Sequence, residues 1–118
     1  MNEEIILSPA ALEAVIARAI EASATSPSNA RSVARALAAA EIDGQSGHGL
    51  ARVPSYAAQA RSGKVDGHAR PRLHVTRSAS MTVDAGYGFA FPALDLAIPR
   101  LAAMATARES STPATLVR

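Results

Sequence analysis

Apolar residues recur at helical spacing in two segments near the start of the chain. Each segment follows a serine and a proline, Ser8-Pro9 in the first and Ser26-Pro27 in the second. A serine oxygen can cap a helix, and proline fits the first helical position because its missing N–H costs nothing there. We therefore expect one helix from Pro9 to a break at Ser23, and a second from Pro27 to Asp43-Gly44. The apolar positions are Leu12, Val15, Ile16, Ala19 and Ile20 in the first helix, and Val33, Ala36, Leu37 and Ala40 in the second.

Two further helices are predicted downstream. The third should run from about Leu50 to Arg61 and end at Gly63, a residue type that commonly stops helices. The fourth should begin at Phe91 or Pro92 and run to Arg108, with apolar positions at Leu94, Ile98, Leu101, Ala102 and Ala105. Pro99 lies inside this segment and is expected to kink or split the helix, because proline removes a backbone hydrogen bond.

A short stretch between the third and fourth helices alternates in the manner of strands. Leu73 and Val75 predict one strand, Ser78-Ala79 a turn, and Met81, Val83 and Ala85 a second strand, so the two should form a hairpin. Residues 110–118 carry no regular pattern. The predicted fold class is α+β, mostly helical with a small β-hairpin.

The composition predicts a thin hydrophobic core. Hydrophobic residues make up 48% of the 118 residues, but 28 of them are alanine, and Leu, Ile, Val and Phe together number only 24. Alanine favours helix while adding little buried area. Such a chain should gain stability by packing against more protein, either a C-terminal continuation or a partner subunit. We therefore expect a homo-oligomer, such as a homodimer.

The charge pattern points to small anions. The net charge is only +2, but the stretch from Arg52 to Arg77 holds six basic residues against the single acidic Asp66. No aromatic residue lies inside a basic cluster, which argues against nucleic acid. The chain has no cysteine, no apolar run of membrane-spanning length and no signal peptide, so we expect a cytoplasmic protein without disulfides or membrane contact. His68 and His74 lack partners for a metal site and are interpreted as surface residues.

The loop from Gly44 to Gly49 holds the residues best suited to chemistry. His48 lies between two glycines, and Arg52 follows four residues later, on the same face of a helix that begins near Gly49. An arginine binds a carboxylate through two parallel hydrogen bonds, and a histidine exchanges a proton with a carbonyl or hydroxyl near neutral pH. Together they suit a 2-oxo or 2-hydroxy acid. The same residues taken singly are also typical of a capping histidine and a surface arginine.

The run from Ala39 to Val65 resembles the N-terminal signature of the malate/L-lactate dehydrogenase family. The matching positions are Ala40-Glu41, Asp43, Gly47-His48-Gly49, Arg52 and Tyr56, and the later Val83–Gly88 segment is similar as well. The resemblance implies part of a larger non-Rossmann α/β oxidoreductase that uses NAD or NADP. Its substrate would be a small 2-hydroxy or 2-oxo acid (malate- or lactate-like) or a cyclic imino acid. It also implies that His48 is catalytic and that Arg52 and Ser46 bind substrate.

Two departures from the family pattern bear on these expectations. Gly47 occupies the position where the commoner family form carries serine, and Ser46 lies one place earlier, so this departure bears on the substrate more than on the reaction class. Family members also continue well beyond this length and supply most of the cofactor site from that later part. We therefore interpret residues 1–109 as the catalytic-histidine region, and 110–118 as an irregular tail typical of truncation or an altered reading frame.

These departures leave two interpretations open. In the first, the chain is an incomplete oxidoreductase, and the 118 residues alone are inactive. In the second, it is a non-catalytic remnant or a small helical interaction module. The Asp84–Gly88 loop does not decide between them, because it lacks the third glycine and the acidic residue that a Rossmann dinucleotide site needs. The cofactor-binding residues are therefore unknown at this level.

Overall fold

The computed structural model describes residues 4–77, 79–107 and 114–118. It contains four α-helices, α1 (Pro9–Glu21), α2 (Pro27–Ile42), α3 (Val53–Ser62) and α4 (Ala90–Ala107). It also contains three strands, β1 (Arg72–Arg77), β2 (Ser80–Asp84) and β3 (Ala114–Val117), and two short 3-10 turns at Ser46–His48 and Leu50–Arg52. The predicted mostly helical α+β fold is confirmed.

Both predicted serine caps are present. The Ser8 hydroxyl accepts a hydrogen bond from the Ala11 backbone N–H at 3.1 Å, and the Ser26 hydroxyl accepts one from Asn29 N–H at 3.3 Å. At the other end, Gly63 terminates α3 with φ of 80°, a left-handed conformation that glycine adopts without steric cost. These boundaries follow from local sequence alone, because each cap involves residues within one helical turn.

The buried side chains form two clusters. The larger one joins α1 and α2 through Ile16, Ile20, Val33 and Leu37, and Phe89 reaches it from the start of α4. The smaller one packs α4 against the sheet through Met81, Val83, Ala85, Ala93, Ala97 and Met104. Alanine supplies much of both clusters, which lets the helices approach closely but buries little apolar area per residue.

The sheet combines one expected pairing and one unexpected pairing. Strands β1 and β2 form the predicted antiparallel hairpin, with Leu73 opposite Val83 and a register irregularity between Val75 and Arg77. The predicted turn residue Ser78 lies outside the described residues. Strand β3 pairs in parallel with β2 and places Val117 opposite Val83. The prediction of an irregular tail is therefore wrong for residues 114–117. Four residues are too few to show alternation, and their partner strand lies about thirty positions away.

Helix α4 differs from prediction in its continuity. It begins at Ala90, and it runs unbroken through Pro99, so the predicted split is wrong. Ala93, Ala97 and Met104 are buried along one side of the helix, on both sides of the proline, and this packing against the sheet stabilises the helix before and after Pro99. Its predicted end at Arg108 lies outside the described residues.

A buried amide joins the start of α2 to the segment before the hairpin. The Asn29 side chain is 7% exposed, and its Nδ2 donates to the carbonyl oxygens of Gly67, at 3.0 Å, and Ala69, at 2.8 Å. Gly67 also lies against Thr25, where an added Cβ would come within 2.8 Å of the Thr25 Cα. These contacts hold the segment between α3 and β1 against the start of α2.

Candidate active site

The loop that carries the predicted site residues connects α2 to α3. After Ile42 the chain turns at Gly44, whose φ is 81°, and then forms the two 3-10 turns. The sequence predicts a helix from about Leu50, but α3 begins only at Val53. The backbone N–H of Val53 bonds to the Leu50 carbonyl in 3-10 fashion, and Pro54 has no N–H with which to make the α-helical bond to Leu50.

Gly49 anchors this loop against the last turn of α2. A Cβ built on Gly49 would lie 2.9 Å from the Glu41 Cβ and 3.0 Å from the Glu41 backbone nitrogen, so only glycine fits without displacement. The backbone N–H of Gln45 adds a hydrogen bond to the Ala40 carbonyl at 2.8 Å. The buried Gly49 therefore fixes the loop, while Ser46, Gly47 and His48 on the preceding turn stay exposed.

The Arg52 side chain folds back over the same loop. Its Nε donates to the Gly47 carbonyl oxygen at 2.8 Å, which places the guanidinium beside the peptide that precedes His48. No described residue accepts a hydrogen bond from the two Nη groups of Arg52. These two groups form the planar fork that binds a carboxylate in two-pronged fashion.

His48 and Ser46 lie on the turn that Arg52 contacts. The backbone N–H of His48 donates to the Gln45 carbonyl at 2.9 Å, whereas its exposed ring bonds to no described residue. The Ser46 hydroxyl likewise bonds to no described residue. The structure thus brings all three predicted site residues onto one exposed loop of seven positions. It shows no direct bond among the three side chains.

An aromatic cluster that the sequence did not reveal packs against α3. Tyr56, one turn after Arg52, packs against Phe89 with ring centroids 5.8 Å apart and against Phe91 at 6.3 Å. Phe89 and Phe91 flank the start of α4, so the cluster ties the site helix to the second glycine loop. These contacts span more than thirty positions, and no local pattern signals them.

The second glycine loop, Asp84–Gly88, tests whether the described residues suit a nicotinamide dinucleotide. It leads from β2 into α4, the place where a phosphate-binding turn would lie. Its two glycine amides are engaged within the protein, because Gly86 N–H bonds to Asp84 Oδ1 at 2.9 Å and Gly88 N–H bonds to the Ala85 carbonyl at 3.0 Å. A Cβ on Gly88 would lie 2.7 Å from the Ala69 Cβ, so this glycine serves internal packing. This loop therefore does not offer the Gly86 and Gly88 amides to a phosphate group.

Two further features relevant to function, a metal site and a membrane-spanning helix, were sought in the described parts of the chain. They hold no group of three or more His, Asp or Glu side chains placed to bind a metal ion. None of their helices is both long enough and apolar enough to cross a lipid bilayer.

The fold, together with an exposed loop that carries both His48 and Arg52, corresponds to a known class of oxidoreductase. Residues 7–117 match the malate/L-lactate dehydrogenase family. The chain belongs to this family, and the resemblance found in its sequence is confirmed.

Two relatives illustrate the similarity. The (2R)-3-sulfolactate dehydrogenase (NADP(+)) of Chromohalobacter salexigens is 46% identical over 109 residues, which cover 92% of this chain and 29% of that protein. The delta(1)-pyrroline-2-carboxylate reductase of Ancylobacter novellus is 36% identical over 105 residues, which cover 89% of this chain and 31% of that protein. The chain thus spans about a third of the length of these relatives.

Solved structures support the fold. The delta1-piperideine-2-carboxylate reductase from Pseudomonas syringae pv. tomato superposes with a TM-score of 0.91 at 34% identity, covering 98% of this chain and 34% of that one. The malate dehydrogenase from Entamoeba histolytica superposes with a TM-score of 0.83 at 20% identity, covering 98% and 32% of the two chains. The second likeness concerns the fold alone.

Proposed function

We propose that this chain forms the proton-transfer and carboxylate-binding part of an NAD(P)-dependent oxidoreductase. Its substrate would be a small 2-hydroxy or 2-oxo acid, or a cyclic imino acid. The observation that carries the proposal is the 2.8 Å bond from Arg52 Nε to the Gly47 carbonyl, which holds a guanidinium at the peptide that precedes the exposed His48. The names of its relatives, sulfolactate dehydrogenase and pyrroline-2-carboxylate reductase, support this substrate class.

Arg52 would bind the substrate carboxylate through its two Nη groups. With Nε already bonded to Gly47, the guanidinium plane is fixed before the substrate arrives, so less side-chain freedom is lost on binding. The exposed hydroxyl of Ser46, six positions earlier, would add a hydrogen bond to the substrate. A small carboxylate is therefore the expected partner, and nucleic acid is not.

His48 would exchange a proton with the reacting oxygen or nitrogen. When a carbonyl or imine carbon is reduced, its heteroatom gains an electron pair that must be protonated, and in the reverse direction the same atom loses a proton. The His48 ring, which bonds to no described residue, is free to face a substrate held by Arg52 four positions later. Such a site works by placing the proton donor, His48, and the carboxylate-binding group, Arg52, around one reacting carbon.

The cofactor contacts are not assigned to the Asp84–Gly88 loop, because its Gly86 and Gly88 amides are engaged within the protein. We propose that they come from the region of the enzyme that corresponds to the unmatched two thirds of its relatives. Whether that cofactor is NAD or NADP depends on residues of that region.

The proposed binding of a carboxylate by Arg52 can be tested on the 118-residue chain itself. Titration of the isotopically labelled protein with pyruvate should shift the backbone amide signals of residues 46–52, and the neutral analogue methyl pyruvate should do so far less. Arg52→Lys should weaken pyruvate binding by about 1.5–3 kcal/mol, since lysine cannot reproduce the two-pronged contact.

The matched control is Arg61→Lys, which changes an exposed arginine near the end of α3. It should leave pyruvate binding unchanged. Equal binding of pyruvate and methyl pyruvate, or equal effects of the two arginine variants, would show that Arg52 does not bind the substrate carboxylate.

A further inference from the structure

The segment before α1 presents three consecutive apolar side chains to solvent. Ile5 is 81% exposed, Ile6 is 92% exposed and Leu7 is 44% exposed, and the segment belongs to no helix or strand of the described chain. An exposed run of this kind is unfavourable in water unless another surface covers it. Isoleucine also favours strands, because its branched side chain packs well on a pleated sheet. Residues 4–7, named here the N-terminal arm, therefore have the character of a strand without a partner.

Strand β1 offers an unpaired edge of opposite charge. The strand order is β1-β2-β3, so the outer edge of β1 has no partner among the described strands. Such an edge is where an extended segment adds as a further strand. β1 carries Arg72 and Arg77 and no acidic residue, whereas the arm carries Glu4 and no basic residue. Two β1 edges would therefore repel each other, while β1 and the arm attract.

The residue patterns of the arm and β1 match when the two run in parallel. Because side chains alternate between the faces of a strand, one register forms an ion pair and two apolar pairs. These pairs are Glu4 with Arg72, Ile5 with Leu73, and Leu7 with Val75. On β1, Leu73 packs against the cluster between the sheet and α4, and Val75 lies opposite buried Met81 but is itself 48% exposed. The arm would extend this cluster and cover Val75.

We propose that the N-terminal arm of one copy of this chain adds as a parallel strand to β1 of a second copy. Within one chain the arm stays exposed, so its own β1 does not cover it. Two copies related by a two-fold axis make the contact twice, since each gives its arm and receives the other, and the assembly closes as a dimer. This inference concerns assembly and does not rest on the proposed function.

Crosslinking tests the contact directly, because the chain has no cysteine of its own. A Leu7→Cys chain is mixed with a Val75→Cys chain and treated with a short bismaleimide, and mass spectrometry identifies the joined positions. The expected product is a covalent dimer joined between positions 7 and 75. The matched control replaces Val75→Cys by Leu116→Cys on β3, at the other end of the strand order, where Leu116 is 57% exposed. It should give little product.

Exchange of charges tests whether the arm pairs with another molecule. Glu4 and Arg72 are both exposed, so their replacement should not disturb the fold. Glu4→Arg in both crosslinking partners, or Arg72→Glu in both, should lower the yield about 3–10-fold, because like charges then face each other. Glu4→Arg in the Leu7→Cys chain alone, mixed with Arg72→Glu in the Val75→Cys chain alone, should restore the yield, because opposite charges then face each other across the two molecules.

Several results would overturn the inference. One is the absence of the product between positions 7 and 75, and another is an equal yield with Leu116→Cys. A yield that neither charge change lowers, or that the mixed charge exchange does not restore, would also reject it. A single chain carrying both Leu7→Cys and Val75→Cys that crosslinks only within itself would show that the arm covers its own β1 instead.

Discussion

Gly49 and Glu41 are in such close contact that a Cβ on the glycine would lie 2.9 Å from the Glu41 Cβ. This contact holds the loop between α2 and α3, which carries His48, against the last turn of α2. Gly49→Ala should therefore force the loop away from α2 and destabilise the protein by about 1–3 kcal/mol, the usual cost of overpacking. Urea unfolding monitored by circular dichroism would measure this loss.

Gly47→Ala is the matched control for that change, because it adds the same methyl group to the same loop without a contact within 4 Å. It should leave stability unchanged or raise it by about 0.4–1 kcal/mol, since alanine restricts the unfolded chain. If Gly49→Ala and Gly47→Ala behave alike, the contact with Glu41 does not hold the loop.

His48 is expected to be the proton-transfer residue. The isolated chain should show no turnover, because it spans only about a third of the length of its relatives and most cofactor contacts are proposed to come from the remainder, so the test uses a chimera. In it, residues 7–117 replace the matching region of the Chromohalobacter salexigens sulfolactate dehydrogenase. His48→Ala should lower turnover by about 10²–10⁴-fold, the typical contribution of a positioned acid or base. His48→Gln should be nearly as poor, since an amide cannot transfer the proton.

The control for His48 is His74→Gln on β1, which exchanges another exposed histidine outside the loop. It should retain full turnover. Cofactor affinity, measured by fluorescence of the bound reduced cofactor, should barely change in any of these variants. Near-normal turnover in both His48 variants would assign His48 a structural role instead.

Asn29 is expected to matter for stability and not for substrate binding. Its buried Nδ2 satisfies the carbonyls of Gly67 and Ala69 together, at 3.0 and 2.8 Å. Asn29→Ala would leave the Ala69 oxygen without this partner, whereas the Gly67 oxygen would still accept from the Ser26 N–H at 3.0 Å, so the change should cost about 1–3 kcal/mol. Thermal unfolding would show the loss, while Ser28→Ala, on the exposed neighbouring position, should have little effect. Equal melting temperatures for the two variants would contradict this account.

The exposed side of α4 is expected to drive self-association of the isolated chain. Leu94 is 39% exposed and Ile98, one turn later, is 59% exposed, so together they present apolar surface that no described residue covers. We predict that sedimentation velocity will detect association at micromolar concentrations. The double change Leu94→Gln and Ile98→Gln should reduce it, whereas Arg100→Gln on the same helix should not. A strictly monomeric natural chain would contradict this prediction.

Local chemistry determined much of the outline of this protein. Ser8 and Ser26 cap their helices through atoms three residues away, Gly63 ends α3 by its own backbone conformation, and the β1–β2 hairpin follows from alternation over a dozen residues. Each of these features depends on neighbours in the chain, so the sequence alone predicts them. The candidate site residues Ser46, His48 and Arg52 could also be selected from sequence, since they lie within seven positions.

Only the tertiary structure decided how these helices, strands and loops contact one another. Strand β3 forms only because β2 offers its edge about thirty residues earlier, and the tilted contact of Tyr56 with Phe89 forms only because the segment before α4 reaches α3. The difference between Gly47 and Gly49 is likewise invisible in the sequence, where both are glycines beside His48. It appears only when α2 lies against the loop, because a steric requirement arises from the atoms that surround a residue and not from the residue itself.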